Sequence, residues 1–105
     1  MALMVTYDEP NVTREDYDAV RTQVGWENAP PAGCLLHMSY FDDAGFHTVD
    51  IWDSQAELDA YLTKRFNPAL KILQLPDAAP KATDLHLVAA SPSLEKYFLP
   101  PAARD

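Results

Sequence analysis

The chain has 105 residues, with 8 lysines and arginines against 16 aspartates and glutamates, and 48% of its residues are hydrophobic. This length fits a single domain, and the composition is that of a packed globular protein. The formal net charge of -8 argues against nucleic acid or a membrane surface as a partner, because both depend on clustered lysine and arginine.

Compartment and stabilisation are also constrained by the sequence. Its apolar runs are far shorter than the ~20 residues of a bilayer span, and its first residues lack the cationic start of a signal peptide. We therefore expect a cytoplasmic protein. The single cysteine, Cys34, cannot form an intrachain disulfide, and three histidines are too few to indicate a zinc cluster. Dimerisation would supplement the modest core of so short a chain.

The first part of the chain predicts a strand followed by a helix. Residues 2–7 form an apolar run that ends in turn formers. Thr13 precedes Asp16 at capping-box spacing, and apolar residues follow three and four positions apart. Gly25 is expected to end this helix, and residues 28–33, rich in proline, form a loop.

The middle of the chain predicts a β-hairpin and a second helix. Residues 34–41 and 46–53 are strand-like runs separated by a short turn. Ser54, with Glu57 three residues later, begins a helix. The pair Asn67-Pro68 is predicted to kink this helix at Phe66-Asn67, after which it resumes over residues 68–75.

A fourth strand over residues 84–90 completes the order βαββαβ. This order predicts an α+β, ferredoxin-like domain over residues 1–90, in which two helices cover one face of a four-stranded sheet. The other face is left open, and a second copy of the chain is expected to cover it.

A C-terminal tail over residues 91–105 follows this domain. Its large apolar side chains are too closely spaced for a segment that floats in water, and prolines bracket at most about two helical turns. We expect the tail to dock on the domain or on the partner subunit through Leu94, Tyr97, Phe98 and Leu99.

Three segments resemble the dimeric α+β barrel superfamily, which includes the antibiotic-biosynthesis monooxygenases and the haem-degrading monooxygenases. They are residues 12–17 opening the first helix, residues 31–37 entering the second strand, and Val-Asp-Ile-Trp-Asp-Ser at residues 49–54. The resemblance implies a homodimeric barrel with a small-molecule pocket in each subunit. Haem-degrading members carry a first-strand Asn and a second-helix His that this sequence lacks. Anthrone-oxidising members work without metal or flavin, and the resemblance is compatible with that cofactor-independent chemistry.

The predicted hairpin places a histidine beside a carboxylate. Because strand side chains alternate between faces, Thr48, Asp50 and Trp52 share one face. If residues 42–45 form the turn, His37 lies directly across from Asp50. A neighbouring carboxylate fixes the tautomer of an imidazole, which then serves as a general base or proton shuttle. The alternative is a buried pair that only fastens two strands, and a bulge would shift this register.

The sequence-based site consists of this pair and the residues expected around it. His37 and Asp50 are the catalytic candidates, and no metal site is indicated. The polar face is expected to line the barrel interior while Leu36, Met38, Val49 and Ile51 face the helices. The candidate substrate contacts are Trp52, which would stack on a planar ligand, and Leu35, Ser39, Thr48 and His86.

Other reactive side chains are better explained as parts of the core. Cys34 is expected to be a small core residue. Tyr17 and Tyr61 lie on the apolar stripes of the two helices, with hydroxyls within reach of the pocket.

Three functions are consistent with these residues. The first is a cofactor-independent monooxygenase or acid/base enzyme acting on an aromatic or polycyclic molecule, with His37 as the base and Asp50 orienting it. The second is a non-catalytic ligand-binding or carrier dimer. The third is a structural dimer whose interior is filled by side chains.

Overall fold

The computed structural model describes residues 1–98 and has the βαββαβ order. Its four strands form one antiparallel sheet in the order β2-β3-β1-β4, so the predicted α+β, ferredoxin-like fold is confirmed. The elements are β1 (Leu3–Glu9), α1 (Arg14–Val24), β2 (Cys34–Asp42), β3 (Gly45–Trp52), α2 (Gln55–Tyr61), a π-helical turn (Leu62–Phe66), α3 (Asn67–Ile72), β4 (Lys81–Asp84) and a 3-10 helix (Pro92–Tyr97).

Helix α1 begins and ends where the sequence predicts. The Thr13 hydroxyl accepts a hydrogen bond from the Asp16 amide, and the Asp16 carboxylate accepts one from the Thr13 amide, both at 3.1 Å. Gly25 adopts a left-handed conformation with φ 73°, and its amide donates to the Arg21 carbonyl. These two caps fix the position of Tyr17, one turn into the helix.

The second helical segment contains a π-helical turn over Leu62–Phe66, immediately before the Phe66-Asn67 junction where a kink is predicted. Pro68 has no amide hydrogen to continue the α-helical pattern, and the Asn67 amide instead donates to the Leu62 carbonyl five residues earlier. Helix α3 then ends at Ile72, three residues before the predicted end.

The fourth strand lies earlier in the chain than predicted. Strand β4 occupies Lys81–Asp84, and the prediction over residues 84–90 is wrong. Asp84 pairs with Leu3, the first residue of β1, so residues beyond Asp84 have no strand partner on β1. Leu87 and Val88 are consequently exposed despite their alternating pattern.

The 3-10 helix falls within the predicted tail. Leu94 is partly buried, whereas Tyr97 and Phe98 are exposed on the isolated chain. Leu99 lies outside the described residues, so docking of the tail stays a prediction.

The helices cover the polar face of the sheet, which corrects the expected orientation. Trp52, Thr48 and Phe46 are buried on this face. Alternation along a strand shows which side chains share a face, but it does not show which face meets the helices. The core cluster that results contains Leu3, Val5, Trp52 and Leu58, with Cys34, Tyr61 and Leu62 packed against it.

The open face carries the side chains that were expected under the helices. Met38 is 46% and Tyr40 51% exposed, while Leu36, Val49 and Ile51 are partly buried. A β-bulge between Cys34 and Leu36 makes Leu35 the extra residue, so Cys34 lies opposite Trp52. The bulge therefore moves Cys34 to the helix side of the sheet, where it packs in the core as predicted.

Candidate functional site

A cavity lies between the helices and the sheet. The space open to the centres of water molecules is about 80 Å³, enough for several waters. Its wall is mostly apolar and aromatic, with contributions from β1, α1, β3, the second helical segment and the loop before β4. Tyr17, His37 and Asp50 all line it.

The predicted hairpin register is the one that the structure has. His37 lies opposite Asp50, and its Nδ1 is 2.6 Å from the Asp50 Oδ1. Both side chains are largely buried, with 23% and 17% of their surfaces exposed. Because a carboxylate accepts hydrogen bonds, a neutral His37 ring carries its proton on Nδ1 and leaves Nε2 as an acceptor.

Trp52 holds the other oxygen of the same carboxylate. Its indole Nε1 donates to the Asp50 Oδ2 at 3.2 Å. The side chain is 1% exposed, and its ring packs against Tyr61 with centroids 5.3 Å apart. Both Asp50 oxygens thus have donors, and the carboxylate is fixed in position.

Tyr17 completes a chain of hydrogen bonds that the sequence did not reveal. Its hydroxyl lies 2.7 Å from the His37 Nε2 and, with the tautomer above, donates to it. The phenol ring packs on Phe46, with centroids 4.8 Å apart. Its place on the apolar stripe of α1 indicated burial, but the partner of the hydroxyl depends on how α1 crosses β2.

Burial keeps the phenols and the thiol near the cavity neutral. It raises the pKa of Tyr17, an effect that the nearby Ser39 side chain and the Arg21 guanidinium partly oppose. Burial, with a smaller contribution from the Asp50 charge, also raises the pKa of Tyr61 and brings that of Cys34 to about 12. At neutral pH, Tyr17 is therefore a phenol and not a phenolate.

The remaining sequence-based candidates are distributed between the cavity and the surface. Thr48 is buried and lines the cavity. Ser39 is exposed and lies near the Tyr17 hydroxyl, but it does not line the cavity. Leu35 is exposed at the bulge, and His86 is exposed beyond the end of β4, so neither forms part of the cavity wall.

Two further observations concern metals and membranes. Within residues 1–98, no group of three or more histidine, cysteine or acidic side chains is arranged to hold a metal ion. Across the same residues, none of the helices has the length and apolar character needed to cross a bilayer.

Comparison with known proteins identifies the fold. Neither a protein-family model nor a curated protein matches the sequence. Among solved structures, SnoaB, a cofactor-independent oxygenase from Streptomyces nogalater, is similar with a TM-score of 0.60 and 13% identity, over 86% of this chain and 97% of that one.

Two other solved structures are similar at comparable levels. One is a protein from Chloroflexus aurantiacus whose assignment as an antibiotic biosynthesis monooxygenase is provisional; it has a TM-score of 0.53 and 18% identity, over 85% of this chain and 95% of that one. The other, from Nitrosomonas europaea, has no known function and gives a TM-score of 0.52 and 22% identity, over 86% and 90% of the two chains. The chain therefore has the α+β fold of the antibiotic-biosynthesis-monooxygenase-like proteins.

Proposed function

We propose that the protein is a cofactor-independent oxygenase that acts on a small aromatic or polycyclic molecule carrying an acidic hydroxyl or methylene group. The observation that carries this proposal is the His37–Asp50 pair, held at 2.6 Å at the wall of an apolar cavity. The likeness in fold to an oxygenase that needs no cofactor supports it.

The chemistry requires a base and a substrate rich in electrons. His37 is the base that finally takes up the proton lost by the substrate, and the Asp50 carboxylate stabilises the imidazolium that forms. The electron-rich anion then reacts with dioxygen to give a hydroperoxide. Loss of water from it leaves a carbonyl, so a methylene and dioxygen become a ketone and water, and the substrate supplies all four electrons.

The cavity wall suits such a ligand. A mostly apolar and aromatic lining binds a planar hydrocarbon frame, and a few polar groups at one end orient its hydroxyl or keto group. Trp52 contributes by fixing the Asp50 carboxylate and by forming part of the cavity wall.

Oxidation of dithranol, a tricyclic phenolic ketone with an acidic methylene, tests this function. We expect chelator-treated protein to accelerate uptake of one dioxygen for each quinone formed, measured together by an oxygen electrode and absorbance. The control is the same protein after heat denaturation. Saturable binding of dithranol without oxygen uptake would contradict the oxygenase and favour a carrier.

A non-catalytic role of the Asp50–His37–Tyr17 chain, as in a carrier, has one specific observation in its favour. Each polar atom of the Asp50–His37–Tyr17 chain has a partner within the protein. A fully satisfied network is also what a purely structural fastening would have. The oxygen measurement separates the two functions, because a carrier binds the same molecule and leaves it unchanged.

We further propose that the folded unit is a homodimer formed through the open face of the sheet. Met38 and Tyr40 lie half exposed there, next to partly buried aliphatic side chains. A contiguous apolar surface of this kind is unfavourable in water. Sedimentation at micromolar concentration should report a dimer, and Met38→Asp should shift the equilibrium towards monomer. A wild-type monomer at all concentrations would contradict this proposal.

A further inference from the structure

The two ring nitrogens of His37 are both occupied by protein groups. Asp50 takes Nδ1 at 2.6 Å, and the Tyr17 hydroxyl takes Nε2 at 2.7 Å. A ligand in the cavity therefore cannot hydrogen-bond to His37 while Tyr17 remains in place. If His37 is the base, as in the function proposed above, its proton has to arrive through another group.

The Tyr17 hydroxyl is the group in the right position. It bonds to the only ring nitrogen of His37 that is free of a proton, and the Tyr17 side chain lines the cavity. A phenol that donates one hydrogen bond keeps a lone pair with which it accepts another. The caps of α1 and the packing against Phe46 hold it there.

From this arrangement we infer that Tyr17 is a catalytic residue, the group that exchanges a proton directly with the substrate and relays it to His37. The substrate O–H or C–H bond breaks as its proton moves to the Tyr17 oxygen. In the same event the Tyr17 proton moves to the His37 Nε2. The products are a substrate anion and an imidazolium paired with Asp50, so charge and protons balance. This inference rests on the proposed function for the identity of the base.

The hydrogen-bonded set Tyr17–His37–Asp50 differs from a serine–histidine–aspartate triad in one respect, which follows from the burial of Tyr17. Burial raises the pKa of Tyr17, so the phenolate is not a resting state. Tyr17 consequently acts by losing one proton while gaining another and does not accumulate charge. This favours proton relay over nucleophilic attack.

Tyr17→Phe removes only the hydroxyl and keeps the ring that packs on Phe46. With dithranol, we expect kcat to fall by about 10²–10⁴-fold, the range for loss of a positioned acid–base group, with KM within a few-fold of wild type. The matched control is Tyr40→Phe, the same change on the opposite face of the sheet, which keeps the ring and should retain wild-type kcat when sedimentation shows the wild-type oligomeric state.

A second measurement tests the relay without any oxidation. The probe is 2-naphthol, a weak acid that becomes a strong acid when excited and emits at longer wavelength after losing its proton. Bound to wild-type protein, it should show strong naphtholate emission, and Tyr17→Phe should shift the bound emission towards neutral naphthol. His37→Gln, which retains a hydrogen-bond acceptor for Tyr17 but cannot take up the proton, should do the same.

The two measurements distinguish the failure of the relay from the failure of the proposed function. Naphtholate emission that is absent from wild type, or equal in wild type and Tyr17→Phe, would overturn the relay. Wild-type kcat in Tyr17→Phe with loss of kcat in His37→Gln would also overturn it and leave the oxygenase intact. Naphtholate emission that depends on Tyr17, without oxygen uptake, would support the relay and remove the oxygenase.

Discussion

Replacing Asp50 with asparagine is expected to separate the stability of the hydrogen-bonded chain from its ability to accept a proton. The carboxylate accepts from the His37 Nδ1 and from the Trp52 Nε1. An amide of the same shape has one oxygen and one NH₂ group, so it can accept from only one of these two donors. The oxygen serves Trp52, which has no other hydrogen-bonding atom, and the NH₂ group then donates to the His37 Nδ1.

The tautomer of His37 must invert in this variant. With Nδ1 accepting from the amide, the ring proton moves to Nε2 and donates to the Tyr17 oxygen. Every hydrogen bond survives as a neutral one. Because hydrogen bonds to charged groups contribute about 1.5–3 kcal/mol each and neutral ones about 1, neutralising both bonds in Asp50→Asn should lower the free energy of unfolding by about 1–4 kcal/mol.

Asp50→Ala provides the contrast. It leaves the ring N–H of His37 and the indole N–H of Trp52 without an acceptor, and each unsatisfied buried donor costs about 1–3 kcal/mol. Urea denaturation should therefore show Asp50→Ala to be clearly less stable than Asp50→Asn. Both variants should lose about 10²–10⁴-fold in dithranol turnover, because neither stabilises a protonated His37.

Long-range ¹H–¹⁵N NMR of the imidazole rings measures the tautomer directly. Wild type should carry the His37 ring proton on Nδ1, and Asp50→Asn should carry it on Nε2. A proton that stays on Nδ1 in Asp50→Asn, or equal destabilisation by Asp50→Asn and Asp50→Ala, would contradict this hydrogen-bonding arrangement.

Three further predictions follow from the core, the thiol and the open face. Leu58→Ala should lower the free energy of unfolding by about 2–5 kcal/mol in urea titrations, because the Leu58 side chain is buried at 3% exposure. Leu87 is exposed, so a similarly large loss of stability in Leu87→Ala would contradict this assignment of the core. The Cys34 thiol, with its pKa raised by burial to about 12, should react with iodoacetamide at pH 8 far more slowly in the native protein than in denaturant, and equal rates would show that it is accessible. Hydrogen bonds to Asp8 and Asp42 raise the pKa of His47 above 6.5, so the stability that these bonds add is complete below pH 6.5 and is lost as the pH rises through the folded-state pKa. The denaturation midpoint of wild type should therefore fall over this pH range relative to that of His47→Gln. Midpoints of the two proteins that change in parallel with pH would contradict this prediction.

Local signals in the sequence were sufficient to predict most of the fold. The capping residues Thr13 and Ser54 mark both helix starts, and the short turn over residues 42–45 fixes the register that pairs His37 with Asp50. Each of these features depends on residues close together in the chain. The hairpin register is therefore predictable even though its two strands carry mixed polar and apolar side chains.

Features set by tertiary packing were not predictable in the same way. Alternation correctly placed His37, Thr48 and Trp52 on one face of the sheet, but the helices were expected on the opposite face. Strand β4 was misplaced because Lys81–Asp84 has no apolar alternation and is exposed along its whole length. Its strand structure comes from pairing with β1, almost eighty residues earlier in the chain.

The role of Tyr17 illustrates the same limit within the site. Its spacing on α1 correctly indicates burial, since it follows the stripe that includes Val20. The hydroxyl meets His37, twenty residues later in the chain, because tertiary packing brings α1 against the sheet. The apolar spacing along α1 therefore predicts that the Tyr17 ring is buried, but it does not predict the hydrogen-bond partner of the hydroxyl.

The effect of His37→Gln on dithranol oxidation tests directly whether His37 is the base of the reaction. Glutamine can donate to Asp50 and accept from Tyr17, so the hydrogen-bonded chain persists, but it cannot take up a proton. We expect kcat to fall by about 10²–10⁴-fold while KM stays within a few-fold of the wild-type value. Oxygen uptake at the wild-type kcat in His37→Gln would contradict the claim that this cavity works by proton transfer to His37.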